Sequence, residues 1–98
     1  MKRSGRGQSI HDSRVRQISR KLTKENWRVK ADLPGYDRPA AIGEKKRIPD
    51  IEAVKRGHRK LIEVETPESL EKDKEQQSTF RRHAGQKPNT TFDTDVTN

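Results

Sequence analysis

Two short stretches in the middle of the chain alternate acidic with apolar residues, and a basic turn around Gly57 joins them. Residues two apart in a β-strand face the same side, so this alternation predicts two strands within residues 47–66. Each strand carries two acids on one side: Asp50 and Glu52, then Glu63 and Glu65. If the strands pair with these sides aligned, four carboxylates gather in one patch. Such a patch needs positive charge, and Mg²⁺, which prefers carboxylate oxygens, is the natural candidate.

The composition limits the size of the core. The chain has 98 residues, enough for one small domain, and only 26% of them are hydrophobic whereas 39% are charged. A chain this small buries a modest fraction of its surface, so a homodimer, a larger assembly or a bound ligand would suit it. The patterned helices and strands favour a folded domain over disorder.

The net charge of +8 comes entirely from the first third of the chain. Residues 1–30 hold ten Lys or Arg against two acids, and residues 31–98 are balanced. A concentrated basic region is typical of a protein that binds a polyanion, nucleic acid first of all. A solvated helix surface, or a small regulatory protein whose basic arm docks an acidic partner, are the other interpretations.

Several classes of protein are disfavoured by what the sequence lacks. It has no cysteine, which excludes disulfides and thiolate metal sites. No apolar run approaches the about 20 residues that cross a bilayer. The basic amino terminus is not followed by an apolar segment, so it does not resemble a secretory signal. We expect a cytoplasmic, intracellular protein without a membrane partner.

The first thirty residues predict a basic arm followed by a basic helix. Residues 1–8 are rich in Gly, Arg and Ser and indicate a flexible arm. Ser9 is a helix N-cap candidate, and apolar residues at helical spacing predict a helix that ends near residues 24–26. Phosphate contacts, which position a duplex without reading its sequence, are expected from five basic residues of this helix: Arg14, Arg16, Arg20, Lys21 and Lys24.

The remaining pattern predicts an α-β-β-β-α-β order. Residues 26–33 alternate as a half-buried strand, in which Trp27 is either a core anchor or a platform for base stacking. The Thr-Pro-Glu sequence at 66–68 begins a helix that extends to about Ala84, and residues 90–96 form a last strand parallel to the second acidic strand. The expected fold is a single α/β domain over residues 9–98, with a mixed four-stranded sheet flanked by two helices.

With this order in place, the chain resembles the PD-(D/E)XK nuclease superfamily, which includes restriction endonucleases, Holliday-junction resolvases and recombination exonucleases. The signature of that superfamily is Pro-Asp at one strand and acid-x-Lys on the next. Pro49-Asp50 resembles the first half, and Glu63-Val64-Glu65 resembles the second. Gly43, and Gln76 four residues before an aromatic residue, resemble further motifs of exonuclease-like branches. The resemblance covers residues 10–97 and implies a restriction-endonuclease-like core.

This resemblance implies a hydrolase that uses Mg²⁺ or Mn²⁺ to cleave phosphodiester bonds, with DNA favoured over RNA. Three acids are assigned to metal binding and catalysis: Asp50, Glu63 and Glu65. Gln76 or Gln77 could orient the substrate, and Glu52 is expected to face solvent. The competing interpretation is that all these acids are ordinary strand residues paired with basic neighbours. No chemistry is assigned to the three histidines.

Glu65 departs from the superfamily pattern, because it stands where a lysine is expected. The positive charge could come from another lysine, with Lys60, Lys72 and Lys74 as candidates. Glu65 could instead be a further metal ligand. In the third case the chain is a non-catalytic nucleic-acid-binding module that retains the nuclease fold.

Overall fold

The computed structural model of the protein describes residues 5–97, with side chains from residue 8 onward. Within these residues the chain forms three helices and four strands. Their order is α1 (Gly5–Lys24), β1 (Arg28–Ala31), β2 (Ile51–Lys55), β3 (His58–Glu65), α2 (Pro67–Lys72), α3 (Lys74–Gln86) and β4 (Thr90–Val96). The predicted α/β class with a four-stranded mixed sheet is confirmed.

The four strands lie in the order β1-β2-β3-β4. β2 is antiparallel to both of its neighbours, β1 and β3, and β4 is parallel to β3, as the β-α-β crossover predicts. Ile51 pairs with Ile62, which aligns the acidic sides of β2 and β3. Glu63 pairs with Thr94 on its other side.

One face of the sheet packs against α1. Val15 and Leu22 on α1 form a buried cluster with Ile51, Ile62 and Val64 on the strands. Trp27 is half-buried and packs against this cluster.

The opposite face packs against α3. Phe80 on α3 is buried against Leu61 and Phe92, with the two phenyl ring centroids 5.9 Å apart. Because side chains alternate along a strand, Glu63 and Glu65 lie on the same face as Leu61. The acids of β3 therefore lie on the α3 side of the sheet, and α1 lies on the other side.

The first strand is shorter than the predicted residues 26–33, and both predicted helices also differ from the structure. The first helix begins at Gly5, not Ser9, so residues 5–8 of the predicted arm are helical; Gln8 donates to Asp12 Oδ1 at 2.8 Å across this turn. Residues 1–4 of the arm lie outside the described residues. The second predicted helix is divided at Asp73, whose backbone N–H donates to the Ser69 carbonyl. Among residues 5–97, no helix is long and apolar enough to span a bilayer.

Candidate functional site

Asp50 and Glu63 meet at the end of the sheet where β2 begins. The register that pairs Ile51 with Ile62 places Asp50, the residue before β2, opposite Glu63. Glu63 Oε1 accepts a hydrogen bond from the Asp50 backbone N–H at 3.0 Å. In return, Asp50 Oδ2 accepts one from the Val64 N–H at 2.8 Å. The structure thus brings together two of the three acids that the sequence selects.

This acid pair is withdrawn from water. Glu63 is 1% exposed, and the Asp50 side chain is 13% exposed. Burial raises the pKa of Glu63 to about 10, and the negative charges of Asp50 and Glu65 add to this effect. The hydrogen bond from the Asp50 N–H acts in the opposite direction. Without a cation beside it, Glu63 therefore holds a proton at neutral pH.

Glu65 is completely buried on the same face of β3. Its Oε2 accepts a hydrogen bond from the Ser69 hydroxyl. Ser69 also forms the capping box of α2, in which its backbone N–H donates to the Thr66 hydroxyl and its own hydroxyl accepts from the Thr66 N–H. Glu65 is therefore tied to the first turn of α2.

His11 of α1 contacts the acid pair from the other face, and no motif in the sequence selects it. Its side chain is 5% exposed, with Nε2 3.0 Å from Asp50 Oδ2 and Nδ1 3.0 Å from Asp12 Oδ1. An imidazole with a carboxylate oxygen against each nitrogen donates to both when it is protonated. His11 therefore fixes the orientation of the Asp50 carboxylate. His11 lies four residues before the buried Val15 and shares its face of α1, but this spacing does not indicate which side chain His11 contacts.

Of the two glutamines predicted to orient substrate, one reaches the acid pair. Gln76 Nε2 donates to Glu63 Oε2 at 3.4 Å, and its Oε1 accepts from Arg47 Nη1 at 3.3 Å. Gln77 is buried and donates to the Leu70 carbonyl at 3.0 Å. Gln77 thus braces α2 against α3, whereas Gln76 connects Glu63 to Arg47.

The prediction that Glu52 faces solvent is wrong. Glu52 is 8% exposed, and its Oε2 accepts from Arg59 Nε at 2.6 Å while its Oε1 accepts from the Ala40 N–H at 3.2 Å. This ion pair neutralises Glu52. The fourth acid is therefore separate from the Asp50–Glu63 pair.

The basic residues of α1 lie away from the acids of β3. Arg14 is bound to Asp95 of β4 by two hydrogen bonds of 2.8 Å, from Nε and Nη2. The other four predicted phosphate contacts range from half-buried to exposed: Arg16, Arg20, Lys21 and Lys24. They belong to the helix that covers the opposite face of the sheet from Glu63.

The three lysines considered as a source of positive charge near Glu65 contact other residues instead: Lys60, Lys72 and Lys74. Lys60 lies 5.0 Å from the centroid of the Trp27 ring, on the α1 side of the sheet. Lys72 pairs with Glu68 at 3.3 Å, and Lys74 pairs with Glu71 at 2.9 Å, both on the exposed surface. None of these contacts brings a lysine to the acid pair.

The donor atoms at the acid pair suit a hard divalent cation. Asp50 and Glu63 offer carboxylate oxygens, and Mg²⁺ is commonly held by one or two carboxylates while it keeps several waters. Over residues 5–97, no group of three or more His, Cys, Asp or Glu side chains is arranged to hold a metal ion. The protein ligands would therefore be the two carboxylates, with water completing the shell.

This chain matches no family model, no curated protein and no solved structure. The fold and the site define it as a small α/β protein with a buried acid pair at one end of its sheet. Any assignment of function rests on these residues.

Proposed function

We propose that the chain is a metal-dependent nuclease-like domain that hydrolyses phosphodiester bonds in DNA, with a restriction-endonuclease-like core of the PD-(D/E)XK type. The observation that carries this proposal is the Asp50–Glu63 pair. Two adjacent acids at a buried position are unfavourable when both are ionised, so one of them keeps a proton unless a charge of opposite sign accompanies the pair. A divalent cation between them removes that cost.

Each residue around the pair has a defined part in the proposal. Asp50 and Glu63 would hold Mg²⁺ or Mn²⁺, and the chemistry that such an ion supplies is a nucleophilic water near neutral pH and relief of charge on the phosphate. His11 and the Val64 N–H fix Asp50 Oδ2, and Gln76 fixes Glu63 from α3. Glu65, the third predicted acid, would act as a base that orients water, since no group of three such side chains is arranged to hold a metal ion within residues 5–97.

Cleavage assays test the proposal directly. The parent protein, Asp50→Asn and Glu63→Gln are incubated with linear, nicked and branched DNA in the presence of Mg²⁺ or Mn²⁺. Asp93→Asn is the matched control, because Asp93 is an exposed acid on β4. We expect cleavage by the parent and the control, and a loss of at least about 100-fold in both site variants, since each removes a ligand. Equal cleavage by the site variants and the parent would show that the site is wrongly assigned.

The alternative function is a non-catalytic nucleic-acid-binding module, and Glu65 is the observation that favours it. A buried glutamate held by Ser69 cannot supply the positive charge of a lysine. This alternative predicts salt-sensitive DNA binding without metal-dependent cleavage. Titration of Mn²⁺ followed by NMR separates the two functions. Paramagnetic broadening confined to the surroundings of Asp50 and Glu63 supports the nuclease, and broadening scattered over exposed acids such as Glu71 supports the module.

A further inference from the structure

A groove with basic side chains lies on the α3 side of the sheet, where Glu63 also lies. It runs between the turn at residues 42–47 and α3, has a volume of about 350 Å³, and its lining includes two basic residues, Lys45 and Arg82. The basic residues that the sequence selects on α1 lie on the other side. The groove and Glu63 therefore lie on the same side of the sheet.

The turn that forms one wall is held firmly. Ile42 and Arg47 exchange two backbone hydrogen bonds of 2.7 and 2.9 Å, which close the turn. Gly43 has a φ of +79°, and a Cβ at this position would come within 3.0 Å of Thr79 Cγ2 on α3. Only glycine fits this close approach without strain. The groove is thus preformed, which lowers the entropic cost of binding a ligand.

Arg47 lies next to the groove, and its hydrogen-bond donors are incompletely satisfied. Its buried Nε has no hydrogen-bond partner within residues 5–97. Its Nη1 donates to Gln76 at 3.3 Å, and its Nη2 lies 3.5 Å from the exposed carboxylate of Glu75. A guanidinium has five donors in a planar fork that matches phosphate oxygens. Arg47 is joined to Glu63 through Gln76, so a phosphate bound to Arg47 would lie close to the acid pair.

Two acids, Glu44 and Glu75, also line the groove, and Lys45 pairs with Glu75 at 2.7 Å. Both side chains of this pair are about two-thirds exposed, at 68% and 70%. Exposed pairs of this kind contribute little free energy, so phosphate oxygens can replace the Glu75 carboxylate on Lys45.

We infer that this groove binds the phosphodiester backbone of nucleic acid, with Arg47 contacting the phosphate nearest Glu63. The inference rests on the proposed function, because it names the surface that delivers substrate to the same acid pair. It replaces the α1 surface as the principal phosphate contact. It also names a source of positive charge at the acid pair, since the guanidinium of Arg47 would take the role that the lysine has in the PD-(D/E)XK superfamily.

The test is DNA binding measured by fluorescence anisotropy in the presence of a chelator, so that cleavage plays no part. The double variant Lys45→Ala/Arg82→Ala is compared with Arg20→Ala/Lys21→Ala, which removes the same charge from α1. We expect the groove variant to bind about tenfold or more weakly and to lower the slope of log K against log salt by about 2, since each lost phosphate contact contributes about 0.9. The α1 variant should keep the slope of the parent.

Arg47→Gln adds a test of the inner contact, with thermal melting as the control for folding. We expect it to weaken DNA binding and to lower the salt slope by about 1. The inference is overturned if the α1 variant loses as much affinity as the groove variant, or if the groove variant binds like the parent. Either result leaves the cleavage assay of the acid pair unaffected. If the parent protein binds no DNA at low salt, the proposed function itself fails.

Discussion

The buried carboxyl of Glu63 makes a quantitative prediction: Glu63→Gln should stabilise the metal-free protein at neutral pH and above. Burial and the charge of Asp50 raise the pKa of Glu63 from 4.5 to about 10. The folded protein therefore keeps a proton that the unfolded chain releases above its own, lower pKa. The stability that this proton confers is fully present below the unfolded pKa and is lost as the pH rises towards the folded pKa. The window of the effect is from about pH 4.5 to about pH 10.

The size of the effect follows from the same two values. Within this window one bound proton changes the free energy of unfolding by about 1.4 kcal/mol per pH unit. At about pH 7, about 2.5 pH units above the unfolded value, the parent has lost about 3 kcal/mol. This is a large part of the about 5–15 kcal/mol that stabilises a typical domain. Glutamine is neutral at every pH, and its carbonyl can still accept from the Asp50 N–H, so the variant avoids the loss.

Urea denaturation of the parent and of Glu63→Gln, at several pH values and with a chelator present, measures the effect. Glu75→Gln is the control, because Glu75 is an exposed glutamate. The free energy of unfolding of the parent and of the control should fall between about pH 5 and about pH 8, while that of Glu63→Gln stays nearly constant. Added Mn²⁺ should stabilise the parent at the higher pH and leave the variant unchanged, because a metal ligand must be deprotonated. If the parent and Glu63→Gln show the same dependence on pH, Glu63 does not hold the proton and the reasoning is refuted.

Three further substitutions test the framework by chemical denaturation. Phe80→Ala removes a fully buried ring and should cost about 3–5 kcal/mol, and a cost below about 1 kcal/mol would contradict the packing of α3. Gly43→Ala should cost about 1 kcal/mol or more, because of its positive φ and the contact with Thr79, and an unchanged stability would contradict the close approach. Arg14→Gln should cost about 1 kcal/mol at neutral pH. Since Arg14 lowers the pKa of Asp95, this cost should vanish as the pH falls and Asp95 becomes protonated; a constant cost would contradict the ion pair.

The acid pair could be predicted because it depends on a local rule. Alternation in β2 and β3 fixes which side chains share a face, and burial of the other face fixes the register. With Ile51 opposite Ile62, Asp50 has to lie opposite Glu63. The parallel direction of β4 followed from the handedness of β-α-β crossovers in the same way.

The contacts of α1 could not be predicted, because they depend on how the helix crosses the sheet. Helical spacing shows that His11 belongs to the buried face, but not which strand end it reaches. Its contact with Asp50 and the binding of Arg14 by Asp95 arise only in the assembled fold. The sequence therefore predicted a phosphate contact for Arg14, whereas in the structure the Arg14 guanidinium binds Asp95.

Two predictions are wrong, one about the exposure of Glu52 and one about the continuity of the second helix. Glu52 was expected to face solvent, yet the strand pairing brings Arg59 to it and permits burial. The second helix was expected to be continuous, yet it is divided at Asp73. The Gln77 side chain donates to the Leu70 carbonyl there. That bond satisfies a backbone group near the break, as helix ends require.

The Arg14–Asp95 ion pair, which joins α1 to β4, has a consequence for the kinetics of folding. The Arg14–Asp95 contact joins residues 81 positions apart, and β4 pairs only with β3 within the described sheet. Closing so long a loop costs entropy, so we expect this contact to form late in folding. An interaction that is absent from the folding transition state acts on the rate of unfolding and hardly on the rate of folding. We therefore expect the Arg14–Asp95 ion pair to lengthen the lifetime of the folded state while leaving the rate of folding nearly unchanged.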